Sequence, residues 1–516
     1  MSIMKKIYIK VLVACSVLFA FNSCALENEI YEDINPDVFP QNEEDIKAML
    51  VANAYNVFSS DQYNGIFAVA TGYQTCSDMV TDQAENSWVG WDYRYNSYEA
   101  GDWYLDGDAG TTNRSPYQYA NRLSAMSLTI DRIKNVNIAP EKLARYTAEL
   151  KCGIGFLAFL LYDMYGPIPL PDMETLKNPV VDNILPRATE EEMRTYIETN
   201  LKEAAAILPY KYDASDYGRF TKGLANTLLL KFYMRIGDWN NAVVVGEELT
   251  TDKEYGYQVV EDYNSLFTLD TERNMEVIFA AQAIDGSMEN NWIAHVLPAD
   301  FPTQSGLSKW GGFKMAWPFY DTFETGDKRL ARIYAEYIGD DGTVHNRGND
   351  RDNGSMGILY YGAVPAKYGL EGVKGENNET DLVIYRYSDV KTLYAEALVR
   401  KNNSVSQISL NYLNEIRTKH GGLRAYTMQE VFNPKIYLEK MLQERGHEFY
   451  FEGVRRQDLI RHGKFIDAAI EKAQFAGKSI EKIATKVDGK YKYELFPLPL
   501  KIITEGQGIV KQNPGY

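Results

Sequence analysis

Three glutamates and two arginines near the C-terminus have the residue types and the spacing of an acid–base cluster. Glu444, Glu448 and Glu452 recur every four residues, so a helix would place them on one face, and Arg455 and Arg461 follow. Carboxylates grouped in this way could serve as general acid and base in catalysis. The same pattern is typical of buried ion pairs that hold helices together, and we favour this second interpretation.

Other motifs for catalysis or metal binding are incomplete. His447-Glu448 lacks the second histidine of a zinc-binding helix, and Asp350-x-Asp352-x-Gly354 is a fragment of a calcium loop without its later ligands. Neither a Gly-x-Ser-x-Gly elbow nor a phosphate-binding glycine loop occurs in the sequence. A carboxylate pair for glycoside hydrolysis stays open, because such a pair forms in space and the chain has 71 acidic residues. We predict no cofactor, no metal and no catalytic residue.

The second group of residues suited to chemistry is aromatic. Six of the seven tryptophans lie in two stretches, 60–115 and 285–385, where helical periodicity fails. Indole and phenol faces stack on the apolar faces of sugar rings, while Asp, Asn and Arg hydrogen-bond the hydroxyl groups. The alternative is that these rings pin the long loops to the rest of the protein. We predict an aromatic ligand-binding platform, with the candidates Trp88, Trp91, Tyr93, Trp292 and Trp310.

Helices must position this platform, because ten segments have the apolar periodicity of helices. The segments are 43–58, 118–136, 141–165, 189–208, 222–236, 239–250, 389–401, 406–419, 434–452 and 464–476. The pair 222–236 and 239–250 resembles a tetratricopeptide repeat, and a second pair of the same design follows around 394–414. Such pairs bury their apolar faces only by stacking. The predicted fold class is mainly α, a tetratricopeptide-like scaffold of helical pairs with long loop-rich insertions that carry short strands and the ligand site.

The N-terminus is typical of a bacterial lipoprotein. Two lysines precede an apolar stretch over 7–21 that is too short to span a bilayer, and Cys24 follows at a site that resembles a lipobox. We predict that Cys24 is lipidated; the alternatives are cleavage before Cys15 and plain secretion. The predicted organisation is a signal peptide over 1–23, an acidic flexible tether over 24–42, and one domain over 43–516, in which the scaffold occupies 43–58, 118–250 and 386–476 and the aromatic insertions occupy 60–115 and 285–385.

The bulk composition narrows the possible partners. Hydrophobic residues are 45% and charged residues 24% of the chain, the ordinary balance of a globular protein with a core. The formal net charge of -17 argues against nucleic acid as a partner, since the phosphates would be repelled. Besides the lipidated Cys24, only Cys76 and Cys152 remain after the predicted cleavage, so we expect no disulfide framework.

Five segments, in this order, resemble the SusD-like (RagB/SusD) family of nutrient-binding outer-membrane lipoproteins. They are 156–170 with a Tyr-Gly-x-x-Pro turn, 323–329 with Phe-Glu-x-x-Asp-x-Arg, 384–397, the long C-terminal signature 444–463, and the ending 496–516. Together they extend over nearly all of the mature chain. Within the signature, the sequence departs from the family pattern at Gly446, Arg456, Gln457 and His462.

The resemblance implies a non-catalytic lipoprotein, anchored in the outer membrane and exposed at the cell surface. It would bind a nutrient glycan, either an oligosaccharide or a polysaccharide, and deliver it to a SusC-like TonB-dependent transporter. Two alternatives stay open, the same role for peptides and a secreted glycoside hydrolase. A repeat scaffold that binds only protein would leave the aromatic loops without an explanation.

Overall fold

The computed structural model describes residues 39–61, 64–88, 115–178, 183–354, 357–475, 477, 480–481 and 483–516. In this part of the chain the fold is mainly α-helical, with short strands in the two insertions. The helices are α1 (Glu43–Asn53), α2 (Tyr73–Met79), α3 (Asn121–Ile133), α4 (Pro140–Tyr165), α5 (Met173–Leu176), α6 (Glu190–Ile207), α7 (Lys222–Ile236), α8 (Trp239–Thr251), α9 (Trp292–Val296), α10 (Trp317–Tyr320), α11 (Arg347–Asp352), α12 (Tyr387–Asn402), α13 (Gln407–Lys419), α14 (Met428–Val431), α15 (Pro434–Glu448), α16 (Arg455–Arg461), α17 (Phe465–Phe475) and α18 (Leu500–Glu505). The strands are β1 (Ala84–Asn86), β2 (Val277–Ala281), β3 (Phe313–Ala316), β4 (Ile333–Tyr334), β5 (Glu336–Ile338), β6 (Val344–Asn346), β7 (Gly362–Pro365), β8 (Val373–Lys374), β9 (Asn377–Asn378), β10 (Leu382–Arg386), β11 (Lys486–Val487) and β12 (Lys490–Tyr491).

The long helices form one continuous stack. Helix α3 packs on α4, α4 on α6, α6 on α7, α7 on α8, α8 on α12, and α12 on both α13 and α15. The turn between α7 and α8 shows how the sequence sets this geometry. Gly237 ends α7 with a φ of 76°, and the Asp238 carboxylate then accepts a hydrogen bond from the Asn241 amide to begin α8. The tetratricopeptide-like scaffold predicted from the sequence is therefore confirmed.

The ten predicted helices are present, and their ends differ from the predicted ones by a few residues. The first ends at Asn53 because residues Tyr55–Phe58 form a 3₁₀ turn, and the segment predicted over 434–452 ends as a helix at Glu448. Helix α2 was not predicted, because all seven of its residues are buried and its sequence has no apolar period. The division into signal peptide, tether and one domain stays a prediction.

A small sheet in the two insertions positions Trp88, which follows β1, and Trp310, which precedes β3. Its strand order is β1-β3-β7-β4, and all three pairings are antiparallel. In the first pairing Asn86 lies opposite Phe313, so the end of β1 adjoins the start of β3. The sheet shares one large hydrophobic core with the scaffold, which extends from Ile46 to Val510. The scaffold therefore fixes this sheet directly, without an intervening hinge.

Two of the family-like segments, 156–170 and 496–516, meet at one junction. The Asn513 side-chain amide donates hydrogen bonds to the backbone oxygens of Tyr165, at 3.0 Å, and Phe496, at 2.8 Å. Arg187 donates to the same Tyr165 oxygen and to the side chain of Asn513. The C-terminal ending thus packs against the turn that follows α4.

Among the described residues, none of the helices is long and apolar enough to cross a membrane.

Two departures from the family pattern have polar partners. Arg456 forms an ion pair of 2.8 Å with Asp163 of α4, and Gln457 donates a hydrogen bond of 2.7 Å to the Tyr73 hydroxyl of α2. Helix α16 is therefore held to α2 and α4 by charge and hydrogen bonds at these two positions.

Candidate functional site

The C-terminal acids lie in the protein interior. Glu444, Glu448 and Glu452 are nearly inaccessible, and so are their partners Arg329 and Arg386. Arg329 Nη1 lies 2.7 Å from the Glu444 carboxylate, and Arg386 Nε lies 2.8 Å from that of Glu452. A substrate in solution cannot reach these groups. The structure confirms buried ion pairs rather than an acid–base site.

One part of this cluster also brings together possible metal ligands. Carboxylate oxygens of Glu276 and Glu448 and a ring nitrogen of His420 lie within 4.8 Å of one another, and all three residues are buried. Arg386 supplies the positive charge there, because its Nη1 atom lies 2.9 Å from Glu276 and also contacts Glu448. Burial opposes protonation of His420, yet the Glu448 carboxylate outweighs it and raises the pKa of this histidine. The guanidinium already compensates the carboxylates, so we interpret the cluster as structural.

The calcium-like fragment has a different local structure. Asp350 lies in helix α11 and is buried, and its carboxylate lies 3.1 Å from Nδ1 of His345. A helix does not present successive carboxylates to one ion as a calcium loop does. Asp350 instead connects α11 to the β5–β6 hairpin that contains His345.

Trp88 and Trp310 come together where β1 and β3 adjoin. The Ser87 amide donates to the Gly312 backbone oxygen at 2.8 Å, which continues the strand pairing beyond β1. The Trp88 indole Nε1 then donates to the Trp310 backbone oxygen at 3.1 Å. The sheet thus brings together two residues that are 222 positions apart in the sequence.

Glycine at position 312 allows this close approach. A Cβ atom at Gly312 would lie 2.1 Å from Cε2 of Trp88, so any larger residue there would displace the indole. The preceding Gly311 has a φ of 61°, a conformation that other residues rarely adopt. The Gly311-Gly312 pair therefore determines where the Trp88 ring can lie.

His295 packs against both indoles. Its ring centroid lies 5.0 Å from that of Trp310 at an interplanar angle of 79°, and 5.5 Å from that of Trp88. Burial lowers the pKa of His295 to about 4, so the imidazole is neutral near pH 7. Phe313 packs against both His295 and Trp88. Trp310, which packs against His295, has 37% of its surface exposed.

The other candidate residues have different outcomes. Trp292 is only 4% exposed and packs against Phe451 and Tyr368, with ring centroids 5.4 and 6.1 Å away. Its ring has no free face for a ligand, so the prediction of Trp292 as a platform residue was wrong, and it belongs to the core. Trp91 and Tyr93 lie outside the described residues and stay predictions, as does Cys24.

The sequence did not indicate the residues that hold Trp310 in place. The Lys309 ammonium donates to the Phe301 backbone oxygen at 2.6 Å and to the Asp340 carboxylate at 3.1 Å. The Ser308 amide donates to the Gly375 oxygen at 2.7 Å. Asp340 and Gly375 lie 31 and 67 positions away along the chain, and no local pattern connects them. The resulting site offers an apolar ring face with polar groups beside it, which suits binding rather than acid–base chemistry.

Comparison with known proteins gives one family match and several relatives. Residues 317–516 match the model of the SusD family. A SusD-like protein of Bacteroides ovatus is 25% identical over 64% of this chain, and the match covers 62% of that relative. The starch-binding protein SusD of Bacteroides thetaiotaomicron is 23% identical over 72% of this chain and 73% of its own length.

The likeness extends to solved structures. Surface glycan-binding protein A of Bacteroides thetaiotaomicron, solved in complex with laminarihexaose, superposes with a TM-score of 0.71 at 18% identity. The alignment covers 91% of this chain and 99% of that protein. At 18% identity this similarity shows a shared fold and does not by itself show a shared ligand.

Proposed function

We propose that the chain is a SusD-like protein that binds a nutrient glycan at the cell surface and delivers it to a SusC-like TonB-dependent outer-membrane transporter. In this proposal it is a binding protein and not an enzyme. The role for peptides and the secreted glycoside hydrolase are the alternatives that an experiment must distinguish.

The observation that carries the proposal is the exposed indole of Trp310. The Trp310 ring packs against His295, and the Trp310 backbone oxygen accepts a hydrogen bond from the Trp88 indole. The residue is thus held in place before a ligand arrives, so stacking costs little additional entropy. Pyranose rings present flat faces of C–H groups that match an indole. Two of the similar proteins are named for glycan binding, one for starch and one as a surface glycan-binding protein, which supports the same ligand class here.

Binding and catalysis are tested together with purified mature protein. Isothermal titration calorimetry against a panel of neutral hexasaccharides, uronate oligosaccharides and tripeptides should show binding of a glycan. Chromatography of the same mixtures after long incubation should show glycans of unchanged length, because the acidic signature residues lie out of reach of a substrate. Reproducible shortening of a bound glycan would favour the hydrolase alternative, and binding of tripeptides alone would favour peptide uptake.

The proposed surface location depends on Cys24. We expect Cys24→Ala to move the protein from the membrane fraction to the soluble fraction of the cells that produce it, since one lipid-bearing residue is the anchor in this account. Fractionation followed by immunoblotting measures this. Cys15→Ala is the matched control and should leave the protein in the membrane fraction. The reverse pattern would place the anchor at Cys15.

A further inference from the structure

We propose that the Trp310 site selects uncharged glycans and rejects glycans that carry carboxylate or sulfate groups. This inference rests on the proposed glycan-binding function and specifies its ligand class. It follows from the charges on the segment that ends at Trp310 and on the segments that contacts join to it.

The rim of this site consists of four segments that direct contacts join, namely 285–290, 298–310, 339–342 and 373–377. The Ser308 amide of segment 298–310 donates to Gly375 of segment 373–377. The Asp340 amide of segment 339–342 donates to the Asp300 oxygen at 2.8 Å.

The fourth rim segment, 285–290, is held by the segment that contains Gly375. Lys374 lies 2.6 Å from the Asp285 carboxylate, and Asn377 donates to Glu289 at 2.8 Å. The rim is therefore one connected group of segments that includes Trp310.

The rim has an excess of negative charge. Its charged residues are six acids and two lysines, namely Asp285, Glu289, Asp300, Asp340, Asp341, Glu376, Lys309 and Lys374. Both lysines are already paired, Lys309 with Asp340 at 3.1 Å and Lys374 with Asp285 at 2.6 Å. Neither lysine is therefore available to a ligand anion without the loss of its present partner.

An anionic sugar that stacks on Trp310 would meet this excess. A carboxylate or sulfate needs arginine, lysine or a set of backbone amides to replace its hydration, and the described rim presents carboxylates instead. Hydroxyl groups have no such requirement, because they donate hydrogen bonds to carboxylates as readily as to water. The rim therefore suits neutral sugars. The carboxylates of Glu376 and Asp341 can accept hydrogen bonds that sugar hydroxyl groups donate.

The charge of the whole chain acts in the same direction over longer distances. The whole chain has a formal net charge of -17, which opposes the approach of a polyanion at low ionic strength.

Calorimetry with matched glycans tests the inference. The probes are laminarin and carboxymethylated laminarin, together with neutral and uronate hexasaccharides. We expect each anionic probe to bind at least about tenfold more weakly than its neutral counterpart in 20 mM salt, and the difference to narrow in 300 mM salt as the charges are screened. The double variant Asp340→Asn/Glu376→Gln should reduce the difference in affinity between neutral and anionic probes at low salt. The control variant Glu439→Gln/Glu471→Gln changes two exposed acids of the C-terminal helices and should leave this difference unchanged.

The outcomes separate this inference from the proposed function. Anionic probes that bind as tightly as the neutral ones, or more tightly, would overturn the selection by charge and leave glycan binding intact. A difference that the rim variant does not change would also overturn it, because the rim would not be its cause. If no glycan binds, the proposed function fails and the inference fails with it.

Discussion

Replacement of Arg386 by alanine is expected to lower the free energy of unfolding by about 3–5 kcal/mol. This side chain is fully buried and contacts the carboxylates of Glu276, Glu448 and Glu452. Truncation would leave three acids in the interior without their main positive partner, and burial of an uncompensated charge is costly. The effect should be large because Arg386 connects β10 to the end of α15, so both insertion and scaffold depend on it.

Equilibrium urea unfolding, followed by circular dichroism, measures this effect. Arg424→Ala is the matched control, since Arg424 also pairs with a glutamate, Glu430, but at the surface, where we expect little or no loss of stability. Glu276→Gln provides a milder second variant in case Arg386→Ala does not fold, and its unfolding midpoint should also fall. Equal midpoints for Arg386→Ala and the parent would contradict the role given to this network.

The scaffold could be predicted from the sequence because its helices are amphipathic. Helix α6, for example, buries Met193, Ile197 and Leu201 on one face and leaves its acidic first turn in solvent. Helix α2 is buried along its whole length, so its sequence lacks this contrast. A short helix that is buried on every side therefore has no periodic pattern from which it could be predicted.

The ligand site could be predicted only in part, for a related reason. Trp292 and Trp310 lie in the same non-periodic insertion, and both have polar neighbours in the sequence. Their different exposure arises from contacts with distant residues, Phe451 for Trp292 and Ala294 backbone for Trp310. The aromatic composition makes this region a candidate for ligand binding, but it does not indicate which ring faces solvent.

The arginine partners in the buried ion network could not be predicted from the sequence either. The sequence shows Glu444, Glu448 and Glu452 at helical spacing, and this was sufficient to favour ion pairs over catalysis. Their partners Arg329 and Arg386 lie 62 to 119 positions away. Only the fold shows that these particular arginines complete the network.

Trp310→Ala is expected to weaken glycan binding by about tenfold or more, which corresponds to the loss of about 1–3 kcal/mol that removal of one stacking ring costs. Trp310 is the exposed indole of the site, and its removal also takes away the ring that packs on His295. The fold should persist, since more than a third of this side chain contributes nothing to the core. Trp292→Ala should behave differently and lose stability first, because its ring is buried.

The most direct test of the account is calorimetric titration of Trp310→Ala with the tightest-binding glycan of the panel. The control is Trp239→Ala, which removes a partly buried tryptophan from scaffold helix α8. Circular dichroism and the unfolding midpoint establish that both variants are folded. The account predicts that Trp310→Ala binds at least about tenfold more weakly than the parent protein while Trp239→Ala binds as the parent does. A folded Trp310→Ala variant with the parent affinity would contradict it and would place the glycan site elsewhere on the protein.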